Sequence, residues 1–418
     1  MRRLRGFGAP LAILAASGCV AWAAWPTASP EATPAPLPRV TSTSRAALDE
    51  AAALARARLE ADDRDVAAAI RLGEVLLRQA RVETDASLAI EAERVLDAAL
   101  RHEPGEYSAL RILGAAYLSQ HRFADAVEIA TRAIAVREDD AWSHGVLGDA
   151  SMELGEYDRA FEAFDTMVRL RPDAASYARV AYAHEVQGRL REALRHMRMA
   201  AEATSAHDPE ALAWHHAQIG SLLLQLGEVD EAARAFARAD HVFPDHPYAR
   251  NGLARVAAAR GDDLRALEMY RSLMAASPTP ELAASIGDLL ERTGDAAGAE
   301  AMYVRAEALE RDGWEMEEPQ PAALARLLAE RGRHPGEAVR LAEDAARRRG
   351  DIFTMDALAW AYFQAGRLSD ARAASVEARR TGTADRRILC HAAAIEEALA
   401  GKGASGAPVD RAQCRFER

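Results

Sequence analysis

One helix-like position recurs along this chain at a nearly constant interval. Leu113, Leu147, Val180, Ile219, Leu253, Ile286, Leu324 and Leu358 are separated by 34, 33, 39, 34, 33, 38 and 34 residues. Glycine follows four of them, as Leu113-Gly114, Leu147-Gly148, Ile219-Gly220 and Ile286-Gly287. A period of this length belongs to solenoids of helix pairs, in which each unit buries its apolar face against its neighbours and no single core exists. A chain of 418 residues would otherwise suggest two or three globular domains.

Other residues keep phase with the first. Twelve positions after the glycine, or its replacement, stands an alanine: Ala126, Ala160, Ala193, Ala232, Ala266, Ala299 and Ala371. A small residue on one helix facing a small residue on the next lets two backbones approach closely. Four residues further come Phe164, Met197, Phe236, Tyr270 or Tyr303, on the same helical face and large enough to fill the space between units. Gly155, Gly188, Gly227, Gly261, Gly294 and Gly366 stand where a short turn between helices requires positive φ. Pro104, Pro172, Pro244 and Pro278 fall at unit boundaries, where a missing N–H donor is tolerated. This pattern resembles the tetratricopeptide repeat (TPR) family over residues 64–383, as about eight to nine helix pairs. The resemblance implies an all-α, right-handed superhelical solenoid. A first unit begins at Leu72-Gly73 and reaches Ala92 only if residues around Val82 to Ser87 loop out. The stretched intervals predict looser connections at Ser205 to Pro209 and Asp312 to Pro321. Residues 46–63 read as an N-terminal helix or cap, 384–400 as a capping helix and 401–418 as a flexible tail.

The N-terminus bears on compartment. Arg2, Arg3 and Arg5 precede an uncharged, largely apolar stretch to Trp25, the order of an export signal. Three outcomes remain open for residues 1–25. Ala16-Ser17-Gly18-Cys19 resembles a bacterial lipobox, which would lipidate Cys19; Ala21-Trp22-Ala23 suits signal-peptidase cleavage; uncleaved, the stretch is long enough for a single-pass membrane anchor. All three place the repeats outside the cytoplasm, lipid-anchored, periplasmic or membrane-anchored at the cell envelope, beyond a proline-rich linker over 26–45.

Nothing in the sequence points to catalysis. His184-Glu185 lacks the second histidine of a helical zinc-protease motif, and neither a phosphate-binding loop nor a Gly-x-Ser-x-Gly elbow occurs. His207, His215, His216, His241 and His246 with Asp208 and Asp245 are the densest set of metal-ligand types. His215 and His216, adjacent on a helix, point about 100° apart and so do not readily share one ion. No metal, cofactor or catalytic residue is therefore expected. A formal charge of −12 argues against nucleic acid as a partner, since phosphate binding needs clustered cations. Cys19, Cys390 and Cys414 are the only cysteines. With Cys19 lipidated or removed, the other two either bridge the tail to the last helix or stay free.

Within the resemblance, the first helix of each pair faces a concave groove, which implies protein or peptide partners there. Trp142, Trp214, Tyr248 and Phe353 lie five residues before the recurring position, and Tyr182, Trp360 and Phe363 come further along the same faces. Exposed aromatics are frequent binding anchors; the competing reading is that they pack against the unit before them. The function expected is a non-enzymatic scaffold for protein–protein interaction at the envelope. The alternatives are an accessory subunit of a secretion, pilus or polysaccharide-export machine and, more remotely, an enzyme with an unrecognised site.

Overall fold

The computed structural model describes residues 45–401, apart from 84, 86 and 317–320. The chain divides into a unit Met1–Arg39, which lies outside the described residues, and a unit Val40–Arg418, which holds all the described helices. All described secondary structure is helical.

A leading helix, α1 (Arg45–Ala61), precedes nine helix pairs. These are α2 (Val66–Glu83) with α3 (Ser87–His102), α4 (Tyr107–Ser119) with α5 (Phe123–Val136), and α6 (Ala141–Leu154) with α7 (Tyr157–Leu170). Next come α8 (Ala174–Val186) with α9 (Leu190–Ala203), α10 (Pro209–Gln225) with α11 (Val229–Val242), and α12 (Pro247–Ala259) with α13 (Asp263–Ala276). The last three are α14 (Pro280–Arg292) with α15 (Ala296–Met316), α16 (Pro321–Glu330) with α17 (Pro335–Arg348), and α18 (Ile352–Gln364) with α19 (Leu368–Ala378). A closing helix, α20 (Arg386–Ala400), packs on both α18 and α19, as the first helix of a further unit would.

Local chemistry explains where helices start. Asp140, Asp173, Thr279, Asp351 and Asp385 each accept a first-turn backbone N–H, the standard means of satisfying orphan donors. All seven alanines of the repeat are buried. At Gly148, Gly220 and Gly287, however, the recurring glycine makes room for the large residue four positions beyond the alanine rather than for the alanine itself, whereas Gly114 faces Val146 and Ile129. A Cβ at Gly220 would lie 2.8 Å from the Phe236 ring, and one at Gly252, in the next unit, would strike the same ring. In the unit with Leu253-Ala254, Gly252 thus makes room for the large residue of the preceding pair.

The two stretched intervals go partly into helix. Pro209 starts α10 early enough to make it 17 residues long. α15 runs for 21 residues, to Met316, so much of the second stretch is helix where a loose connection is expected from sequence.

The array also returns on itself. Gly350 donates its N–H to the Leu154 carbonyl at 3.1 Å, and Ile352 donates to the Tyr157 hydroxyl oxygen at 2.8 Å across 195 residues of sequence. Arg380 donates to the carbonyls of Gly155 and Gly350 at 3.0 and 2.6 Å and lies over the Tyr157 ring. Thr381 donates its hydroxyl hydrogen to the Val186 carbonyl at 2.7 Å, while Arg349 pairs with Glu153 and also lies over Phe123. Met152, Tyr157, Val186, Ile352, Ala378 and Ile388 share one apolar cluster beneath these contacts. The inter-helix turns of the second, third and fourth pairs therefore abut the junctions around residues 321, 350 and 382. The superhelix meets itself roughly five to six units further along, which a purely nearest-neighbour array does not do.

Candidate partner-binding groove

The inner faces of the first helices hold a groove of about 870 Å³ between α8 and α10. Its walls are Ala174, Ala178 and Tyr182 on α8 and Ala211, Trp214 and Gln218 on α10, with Asp149 of α6 at one side and Thr204, Ser205 and Asp208 at the other. Those last residues belong to the 39-residue interval. The extra chain between α9 and α10 borders the groove, so the irregularity of the repeat and the cavity coincide.

Tyr182 retains 37% of its surface. Burial pushes its hydroxyl pKa well up, and Glu153, Glu185 and Asp351 add to the effect. Trp214 is half-buried, resting on the core of the fourth and fifth pairs with its ring edge-on to His215 at 5.1 Å between centroids. His215 is itself buried, faces the Thr204 hydroxyl at 3.0 Å, and is held below the usual histidine pKa by that burial.

Charge in the groove is largely internally paired. Arg179 clasps Asp149 with both guanidinium edges, at 2.6 to 3.0 Å, and Arg171 pairs with Asp173 at 2.7 Å. Glu185 differs: its contact is the neutral Gln225 amide, which donates at 2.6 Å. Burial raises the Glu185 pKa, Asp385 adds to this, and the Gln225 bond and the more distant Arg255 oppose it.

The seven aromatics expected in the groove separate into groups. Tyr182 and Trp214 are brought together in it. Trp142 is 41% exposed on α6, with the Arg111 guanidinium 5.8 Å from its ring centroid, and is not among the residues lining the α8–α10 groove. Tyr248 is 60% exposed at the start of α12, beside His246. Trp360 and Phe363 must be corrected: they are 2% and 7% exposed. Trp360 stacks on His391 of α20 at 3.9 Å and on Phe363 at 4.7 Å. His391 is in turn held by Asp356 at 3.0 Å. The closing helix covers the face that a middle unit would leave open. Phe353 is not among the residues lining the α8–α10 groove; it is half-buried and packs against the cluster where the superhelix meets itself.

Sequence reasoning placed Glu185 and Glu153 among the negative charges of the groove faces but did not pair Glu185 with Gln225, nor did it bring Gly155 against Gly350 and Arg380; Arg349, Gly350 and Arg380 keep no repeat phase. Cys19 and Cys414 lie outside the described residues, and Cys390 is disulfide-bonded. Among the described residues no three His, Cys, Asp or Glu converge on a metal position, and no helix is long and apolar enough to cross a membrane.

Residues 117–183 and 218–281 each match a tetratricopeptide repeat family model. The array is a tetratricopeptide-repeat solenoid. Among solved structures, the TPR superhelix is similar to a human IFIT1 dimer with m7Gppp-AAAA, at 14% identity and TM-score 0.52, covering 81% of this chain and 77% of that one. Yeast Tom70 matches at 15% identity and TM-score 0.44, covering 87% and 88%. The protein in "Functional Characterization of Pseudomonas Aeruginosa pilF" matches at 18% identity and TM-score 0.41, covering 50% and 94%. At these identities the likeness is one of fold. No curated protein sequence matches this chain. TPR arrays of this kind are protein-interaction scaffolds.

Proposed function

We propose that this TPR solenoid is an envelope scaffold that holds a segment of a partner protein in the groove between α8 and α10. The observation that carries the reading is the juxtaposition of Tyr182 and Trp214 in the wall of a cavity of about 870 Å³. Large aromatic faces left accessible in a concave site bury the most area for the least loss of side-chain freedom when a partner covers them. Envelope location is supported by Arg2, Arg3 and Arg5 ahead of the apolar stretch and Cys19, and by the Cys390 disulfide, which suits an oxidising compartment.

The test is site-specific photocrosslinking of the full-length protein in its native cells, with the probe at Ala178 on the groove floor and a control probe at exposed Leu264. One partner captured at Ala178 and not at Leu264, and lost with Tyr182→Ala, supports the reading; equal capture at both sites sinks it. Intact mass of the mature protein reports compartment. A diacylglycerol-modified Cys19 at the N-terminus is expected, and an unprocessed Met1 start without lipid speaks against the lipoprotein form.

A further inference from the structure

The charge of the groove says what kind of segment it takes. This step rests on the groove reading and deepens it. The guanidiniums already present are committed: Arg179 to Asp149, Arg171 to Asp173, and Arg349 to Glu153 and Asp351. Among the described residues Glu185 has no cation in contact, only the Gln225 amide. Arg255, a guanidinium that acts on it electrostatically, reaches the Ser221 hydroxyl at 3.5 Å. Around the groove Asp149, Asp173, Glu185 and Asp208 outnumber Arg171 and Arg179, and Glu185 follows Tyr182 by three residues on α8, within the same groove wall. A ring face sharing a groove with a half-buried carboxyl whose contact is a neutral amide is a receptor for a cation, because an arriving cation favours the ionised carboxylate that burial disfavours and the ring quadrupole attracts the same charge.

We propose that the groove selects a basic segment of its protein partner, with an arginine or lysine side chain lying along Tyr182 and its cation seated against Glu185, while an apolar neighbour in the segment covers Trp214. An acidic segment would meet the excess of carboxylates instead, and like-charge contact across an interface is strongly disfavoured.

The experiment is selection of a random displayed peptide library on the full-length protein, followed by binding of the selected peptides to wild type, Glu185→Gln, Tyr182→Ala and Trp214→Ala, each checked for helicity. Glu185→Gln keeps an acceptor for Gln225 and removes only charge. The expected result is enrichment of arginine or lysine next to an apolar residue, tenfold or greater weakening by Glu185→Gln, and the same loss when the basic residue of the peptide becomes glutamine. A Glu185→Arg variant should in turn prefer the peptide with glutamate at that place. If selected peptides require Tyr182 and Trp214 but are neutral or acidic, or bind Glu185→Gln unchanged, the charge assignment is overturned while the groove stands. If no peptide is enriched, or binding ignores Tyr182 and Trp214, the groove itself is wrong and this inference goes with it.

Discussion

Phe236 illustrates how one residue spans two units. Its ring lies against Gly220 of its own pair and Gly252 of the next, and it is almost completely buried. A side chain at Gly252 has no space unless the ring moves. Gly252→Val is therefore expected to destabilise by about 1–3 kcal/mol through overpacking, with part of the loss restored when Phe236→Leu is added. Thermal denaturation of the single and double variants measures this, and a double variant no better than the single one would mean that ring and glycine do not compete for space. At the same scale Trp360→Ala should cost about 3–5 kcal/mol, the range for emptying a buried aromatic site, because it removes the ring stacked between Phe363 and His391. A stability unchanged by this substitution would return Trp360 to the role of an exposed anchor. The contrast with Tyr182 explains the limit of positional reading. Both residues sit two positions after the recurring one, but only Trp360 has a closing helix across its face, and the repeat register does not encode which element caps the last unit.

Elements were legible in proportion to how local their causes are. The helix pairs arise from spacing, small-residue contacts and turn glycines, all fixed within one unit or between neighbours. The lengths of α10 and α15 were less so, because an insertion between units goes into helix or loop according to what it packs on. The lengthened α15 carries a titration consequence. Burial, with Glu281 adding to it and Arg326 opposing, raises the Glu310 carboxyl from an ordinary 4.5 to about 7. The folded chain thus binds an extra proton between those values, so this group favours folding most at acid pH, and its contribution is lost as pH rises through about 7. Glu310→Gln should raise stability at pH 8 by about 1–2 kcal/mol, a figure below the full shift because the side chain is partly solvated. At pH 4 the same substitution should change little. Denaturant midpoints at the two pH values decide it, and an equal effect at both would show that Glu310 is not protonated near neutrality.

At the scale of the whole molecule, the return contact changes what kind of object the array is. In an open solenoid, stability is a sum of unit and neighbour terms and distant units are uncoupled. Here Leu154, Gly155 and Tyr157 touch Gly350, Ile352 and Arg380 directly. Sequence periodicity could not reveal this, since the contact depends on the accumulated rotation of several units and sets in-phase turn residues such as Gly155 against junction residues such as Gly350 and Arg380 that keep no phase. Tyr182 senses both sides of the contact, since Glu153 and Asp351 both act on its hydroxyl and are joined through Arg349. A variant with Gly350→Val and Arg380→Ala tests the closure. Gly350 approaches the Leu154 carbonyl too closely to accept a branched side chain without displacement, and Arg380 supplies two hydrogen bonds, each worth about 1 kcal/mol net. Neither change lies within the apolar core of a unit, so helicity should persist while the turn opens. Small-angle scattering should report a larger radius of gyration. Amide exchange should accelerate at Gly350 and Ile352, whose N–H groups bond across the contact, and heating should resolve separate transitions for the two ends of the array. An unchanged radius, with exchange at Gly350 and Ile352 as slow as in wild type, would mean that rigidity of the individual junctions, and not the contact, sets the curvature.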